Sequence, residues 1–340
     1  MQDIFEYKDC ITPVKAIPSI NIYGVDKVGD RKPTFTIAIP TYKRPRTLGE
    51  TIESALNQED FDDYNIIVVD NNPERGDETE VFMQKYKDHP KVTYYKNSEN
   101  VGMAGNWNKC AILSDAEQFI LLHDDDLLIP STVSSFNVML KNISNNWAVI
   151  KPQLSKFDRK ENLKIPLFTQ WVMTKMHEID YLFGDAINAP TCILFNKVKY
   201  IEAGGANQNF YPSYDFALSY SLKHIGDVYL SNRFLGGYRV GINESLSSKT
   251  MDMFFDFKIK KSIQIMKSNY IPTLLRKILL SSVMPLHLKW TKEFYNMNDY
   301  DYDFSSFGFT GVVTKSGIFV CRIYHYVKRL VNHFSQVNIA

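Results

Sequence analysis

Gln118-Phe119-Ile120-Leu121-Leu122 runs directly into His123-Asp124-Asp125-Asp126, and Leu127-Leu128-Ile129-Pro130 closes the stretch. A short, unbroken apolar run is the mark of a strand buried on both faces, because a half-exposed strand would alternate. The polar residues fall where that strand ends. Three adjacent carboxylates repel one another, so the cluster is destabilising unless a cation neutralises it. Oxygen ligation of this kind suits Mg²⁺ or Mn²⁺, and a solvated acidic turn is the plainer alternative.

The same arrangement recurs on the N-terminal side. Residues 35–39 form an apolar run ending at Pro40-Thr41-Tyr42-Lys43-Arg44, and residues 65–69 (NIIVV) end at Asp70-Asn71-Asn72. Leu48, Ile52, Ala55 and Leu56 share one side of a predicted helix over 47–57. A polar helix at 77–87, a strand at 91–95 and a helix at 103–113 complete the approach to residue 118. Beyond Pro130 the pattern predicts a helix over 131–142 and strands at 147–150, 191–195 and 228–230. Helices are predicted at 197–203 and 214–224, and residues 151–190 carry no clear period. Strands alternating with helices predict an α/β fold, a mainly parallel sheet flanked by helices, with ligands at the carboxyl ends of the strands. Residues 1–33 read as an irregular extension, 34–247 as the main domain and 248–340 as a helical, basic and aromatic C-terminal region.

Composition narrows the function classes. The chain has 340 residues, 44% hydrophobic and 23% charged, with a net charge of +1, which gives no overall drive toward nucleic acid. That balance hides an asymmetry: residues 251–340 carry twelve Lys/Arg against six Asp/Glu, or +6, which leaves −5 on the first 250. Four scattered cysteines without a CxxC pair, and no signal-peptide pattern, predict a reduced cytoplasmic setting. The charge-free run at 278–288 contains Pro285 and is too short to span a bilayer.

Four blocks in order resemble the family 2 glycosyltransferases. They are Ile37-Ala38-Ile39-Pro40-Thr41-Tyr42-Lys43-Arg44 with Ser54 and Gln58; Val68-Val69-Asp70-Asn71-Asn72; Asn100-Val101-Gly102 with Gly105-Asn106-Trp107-Asn108; and 121–130 around the three aspartates. The resemblance covers residues 33–247 and implies the GT-A (Rossmann-like) fold of nucleotide-diphosphosugar transferases. By that resemblance Pro40, Thr41, Tyr42, Arg44 and Asp70 contact the nucleotide, Asp70 as acceptor for a base imide N–H. Asn100, Gly102 and Asn106 belong to a turn and helix start whose free N–H groups face the donor. Asp124 falls at a ribose or sugar position, Asp125 at the metal position, and Asp126 at a second metal position or beside the donor sugar. Asp215, just after the Gly204-Gly205 turn and next to Tyr214, takes the place of the catalytic base, with helix capping as the alternative. Leu235-Gly236-Gly237-Tyr238-Arg239 resembles the segment that closes the donor site, where Arg239 meets phosphate or forms a structural ion pair.

Departures from the family pattern accompany these matches. His123 stands where many relatives carry an aspartate, and a hydrogen-bonding role is favoured for it over metal ligation. The segment Val240-Gly241-Ile242-Asn243 after Arg239 holds no His, so either the metal has fewer protein ligands or Asn243 or Ser245 helps through the diphosphate. The QxxRW signature of processive synthases is absent, which implies addition of one sugar. The expected activity is metal-dependent, inverting transfer from a UDP-sugar, with dTDP-sugar next, to a saccharide acceptor in bacterial surface polysaccharide assembly. A non-catalytic nucleotide-sugar or carbohydrate-binding protein on a decayed fold is the alternative.

The tail adds a separate expectation. In residues 316–334, Phe319, Val320, Ile323, Tyr326, Val327, Leu330, Val331 and Phe334 share one side of a helix, and Arg322, His325, Lys328 and Arg329 lie largely off it. Such a helix either packs on the domain or lies on the inner face of the cytoplasmic membrane, where a lipid-linked acceptor would be found.

Overall fold

The computed structural model describes residues 6–24, 32–166, 170–184, 187, 190–241, 247–295 and 297–339. In chain order the strands are β1 (Ser19–Tyr23), β2 (Phe35–Thr41), β3 (Tyr64–Asp70), β4 (Val92–Asn97), β5 (Gln118–Leu121), β6 (Leu127–Leu128), β7 (Trp147–Phe157), β8 (Trp171–Lys175), β9 (Ile193–Asn196), β10 (Asp227–Arg239) and β11 (Gln336–Ile339). The α-helices are α1 (Ile11–Ala16), α2 (Pro45–Leu56), α3 (Glu78–Met83), α4 (Gly102–Leu113), α5 (Thr132–Lys141), α6 (Glu178–Phe183), α7 (Lys197–Glu202), α8 (Tyr214–Ile225), α9 (Ser248–Ser268), α10 (Thr273–Tyr295) and α11 (Lys315–His333).

All described strands join one sheet in the order β1-β4-β3-β2-β5-β9-β7-β10-β8-β11, with β6 paired to β10. The run β4-β3-β2-β5 is parallel, as is the β7–β10 pair. Antiparallel pairing enters where β9 bridges β5 to β7 and where β1, β6, β8 and β11 attach, so the sheet is mixed.

Strand periodicity divides the apolar runs between two faces. Ile37, Ile39, Ile66 and Val68 meet Leu48, Ile52 and Ala55 of α2 and Phe136 of α5 on one face. Ala38, Ile67, Val69 and Phe119 meet Ala104, Trp107 and Cys110 of α4 and Phe216 of α8 on the other. Each of these side chains is worth about 1.5–3 kcal/mol when fully buried, Ala less, so both helix layers are held firmly. Pro45 opens α2 at its first turn, where a missing N–H costs nothing, and so fixes the exit of Arg44 from β2.

Two regions differ from expectation. The N-terminal extension is not irregular where described: β1 pairs with β4, and α1 packs on α4 and the Gly204-Gly205 turn. Gly205 has φ +74°, and a Cβ there would lie 2.6 Å from both Ile11 Cδ1 and Asn108 Oδ1. Only glycine lets α1 approach that closely. The stretch 151–190, which shows no clear period in the sequence, supplies the end of β7 together with β8 and α6.

Past the sheet, α9, α10 and α11 share a third core with residues 300–304; Phe255, Val283, Met284, Phe304, Cys321 and Tyr324 form its centre. Among the described residues, no helix is long and apolar enough to cross a membrane. The four cysteines are free.

Candidate active site

In-register pairing of Thr41 with Asp70 sets the carboxyl ends of β2 and β3 level, and β5 runs parallel beside β2. The loop His123–Asp126 therefore emerges at the same end of the sheet. Thr41 Oγ1 donates to Asp124 Oδ2 at 2.7 Å, and Arg44 Nη1 reaches Asp125 Oδ2 at 3.0 Å and Asp124 Oδ1 at 3.7 Å. The backbone N–H of Arg239 donates to Asp126 Oδ1 at 2.7 Å. Among the described residues, Asp126 Oδ2 and His123 Nε2 are buried without a hydrogen-bond partner.

The electrostatics are those of crowded acids in a dry place. Burial first, then the neighbouring charge of Asp125, raises Asp124 to about 7 against the opposing bonds from Thr41 and Arg44. The same two causes, in the same order, push Asp126 well above the carboxylate range. Burial holds His123 down at about 4, so its imidazole is neutral at pH 7. His123, Asp125 and Asp126 each offer a ligand atom, all within 4.8 Å of one another. A neutral imidazole and carboxylates, two of their atoms buried and without a partner among the described residues, fit a divalent cation. His123 thus stands with atoms that could ligate a cation.

Asp215 lies in the first turn of α8, half-buried. The preceding Tyr214 packs edge-on to Trp107 with ring centres 4.9 Å apart. Trp107 in turn stacks on His123 at 5.5 Å, so one aromatic chain ties the start of α8 to the acidic loop. The charges of both Asp126 and Asp215 act on Lys151 of β7, whose ammonium burial depresses to about 8. Lys151 Nζ also donates to Thr191 O at 3.3 Å. Nothing in the local sequence around Lys151 announces this position.

Several expected donor contacts sit elsewhere. Asp70 is fully buried; it accepts from Tyr94 Oη at 2.7 Å and the Asn72 N–H at 2.9 Å, and Lys96 Nζ lies 3.2 Å away. It is therefore no open acceptor for a base. Asn106 is also buried, bonding Val69 O at 3.0 Å and receiving Asn97 Nδ2 at 3.0 Å, which fastens α4 to β3. The amides expected to be free at the start of α4 are engaged: Val101 N with Asn71, Gly102 N with Asn100 and Ala104 N with Gln208. Arg239 is buried and structural, its Nε on Asp125 O at 2.7 Å, Nη1 on Asp158 O at 3.1 Å and Nη2 on Glu50 at 2.5 Å. It clamps the acidic loop to β10 and α2. Pro40 is buried within β2, and the Tyr42 backbone N–H supports Asp124. Tyr42, Arg44, Asn100 and Gly102 remain accessible to a ligand at this end of the sheet. Asn243 and Ser245 lie outside the described residues.

Sheet order and acid cluster together define an α/β protein of the nucleotide-diphosphosugar transferase type. The model of glycosyl transferase family 2 matches residues 36–203. An uncharacterized glycosyltransferase of Methanocaldococcus jannaschii is 28% identical over 116 residues, 34% of this chain and 39% of that protein. An uncharacterized protein of Mycobacterium tuberculosis is 23% identical over 209 residues, 56% of this chain and 62% of its own. The chain thus spans less than two-thirds of the length of either relative. Among solved structures, S. aureus TarS 1–349 with UDP-GlcNAc gives a TM-score of 0.55 at 13% identity over 76% of this chain and 74% of that one. The mannosyltransferase PcManGT of Pyrobaculum calidifontis, solved with GDP-Man and Mn²⁺, gives 0.51 at 13% over 85% and 90%. At that identity the likeness shows the fold. Through residues 36–203 the chain belongs to glycosyl transferase family 2.

Proposed function

We propose that the protein transfers one sugar, with inversion, from a nucleotide-diphosphate sugar to a saccharide acceptor. The observation that carries this reading is the convergence of His123, Asp125 and Asp126 on one point at the strand ends. His123, Asp125 and Asp126 would hold a divalent cation, whose charge stabilises the departing diphosphate. Asp124, fixed by Thr41, faces ribose or sugar hydroxyls, and Arg44 is placed to meet phosphate. Asp215 accepts the proton of the attacking hydroxyl as the acceptor oxygen bonds the anomeric carbon. The anomeric C–O bond breaks, and its electron pair leaves with the nucleoside diphosphate. Lys151, under the charges of Asp126 and Asp215, holds these acids in register.

UDP is the favoured nucleotide, with dTDP next; TarS complexes with UDP and UDP-GlcNAc support the first choice and the GDP-Man complex supports the broader class. The proposed setting is bacterial surface polysaccharide assembly on the cytoplasmic side of the membrane, with a lipid-linked saccharide as acceptor. We assign residues 34–247 to the catalytic domain. A panel of nucleotide sugars, assayed for nucleoside diphosphate release with Mn²⁺, with Mg²⁺ and with chelator, tests the proposal. The expected result is metal-dependent release from one donor. Binding without turnover across the panel would instead make this a nucleotide-sugar-binding protein.

A further inference from the structure

Helix α11 is attached by a narrow edge, where Cys321 and Tyr324 enter the third core and polar bonds flank them. Gly317, Cys321 and Tyr324 are its buried residues. Tyr324 Oη donates to Ile179 O at 2.8 Å, Lys328 pairs with Asp180 at 3.2 Å, and Asn332 donates to the same carboxylate at 2.9 Å. At about 100° per residue, Phe319, Ile323, Tyr326 and Leu330 of the predicted stripe fall on the far side from that edge, while Val320 and Val331 lie beside it, half-buried. Phe319 is 64% and Phe334 86% exposed, and Ile323, Tyr326, Val327 and Leu330 are exposed with them. Such a face conflicts with ordinary packing on the domain, because a helix that closes a core turns its apolar stripe inward.

Charge lies along one margin of this face. Arg322 and Arg329 are exposed and, with His325 and Tyr326, line a shallow groove on the helix. It continues into a larger groove between α11 and strands β8 and β10. From residue 304 onward the chain has four basic residues and no acidic one. With Lys328 engaged by Asp180, Arg322 and Arg329, with Lys315 at the start of the helix, are the exposed cations beside the apolar face among the described residues. Apolar side chains with guanidinium groups at their margin match a surface with an apolar interior and phosphate at its rim. A second copy of this chain in a two-fold contact would bring arginine toward arginine.

We propose that this face of α11 docks on an anionic phospholipid surface. Phe319, Ile323, Tyr326 and Leu330 enter the interfacial layer, while Arg322 and Arg329 hold headgroup phosphates. The inference deepens the membrane side of the proposed function and requires no transfer step.

Co-sedimentation of the full chain with phosphatidylcholine vesicles, with and without phosphatidylglycerol, provides the test. Wild type should partition onto the anionic vesicles, less so at high salt, and stay off the neutral ones. R322E/R329E should weaken partitioning about 30-fold or more, and F319S/I323S by a similar factor. Circular dichroism and the thermal midpoint should match wild type, since all four side chains are exposed; should either double variant unfold, R322Q/R329Q decides. Unchanged partitioning of the variants, or equal partitioning onto neutral vesicles, would overturn the proposal. So would self-association in sedimentation velocity that F319S/I323S abolishes, which would give the face to a second copy. UDP titration of the same proteins keeps the two readings apart, because a wild type that ignores nucleotide but binds vesicles loses the transferase reading alone.

Discussion

At the acidic loop, Asp124, Asp125 and Asp126 are each less than one-tenth exposed, and residues from β2, the start of α2 and the end of β10 converge to hold them. Along α11 Phe319, Ile323, Tyr326 and Leu330 stand open to solvent, while the anchoring edge is Cys321 and Tyr324 in the third core with a handful of polar bonds beside them. One region puts charge inside, the other puts hydrocarbon outside. Each breaks the usual sorting of residues, and each does so at a place for which a binding role is proposed above. The difference lies in how the departure is supported. Buried like charges need bonds from every side, whereas an exposed apolar face needs only a platform.

The comparison can be broken first at the loop. Asp125→Ala should lower metal-dependent transfer by about 10⁴-fold, the several kcal/mol that a lost metal-ligating charge costs. Near-normal turnover would return the cluster to a structural role. Asp215→Asn keeps size and polarity but cannot take a proton, so turnover should fall roughly 10³-fold, within the usual range for a general base. Donor affinity in that variant should stay near wild type in a UDP-sugar titration; its collapse would move Asp215 to the donor site.

A third test uses pH on metal-free protein. The Asp124 carboxyl rises from 3.8 to about 7 on folding. The fold therefore favours its protonated form, so its contribution is fully present below the unfolded value and is lost as pH climbs through about 7. Asp124→Asn keeps an acceptor for Thr41 and cannot ionise. In urea unfolding its advantage over wild type should grow by about 1–3 kcal/mol between about pH 4 and pH 8. A pH-independent difference would mean that the loop does not hold Asp124 protonated. The smallest effect belongs to α11: Phe319→Ser should shift stability by no more than about 0.5 kcal/mol, as for an open surface site. A loss of several kcal/mol would show that the stripe is covered after all.

What could be read without coordinates follows the same division. β2, β3 and β5 are buried on both faces and spell themselves as apolar runs, and the acids appear at their ends. Partly covered strands were harder to see: Ser19–Tyr23 at the edge of the sheet and Trp171–Lys175 one strand in from the other edge mix polar and apolar residues. Arg239 could not be placed, since its partners Asp158 and Glu50 lie 81 and 189 residues away in the chain. His123 shows its ligand-ready state only once Trp107, from α4, is stacked on it. The direction of the α11 stripe was equally hidden, because periodicity defines a face but not which neighbour it turns toward.

Strand β11 follows directly after α11, and its Gln336–Ile339 segment pairs antiparallel with β8 at the margin of the sheet. The last residues of the chain thus act as a cover for the backbone N–H and C=O groups of Trp171–Lys175. Cutting the chain before α11 would strip that cover and leave an open ladder, a template on which other chains can add strands. Such a truncated protein would be prone to clump through its own sheet.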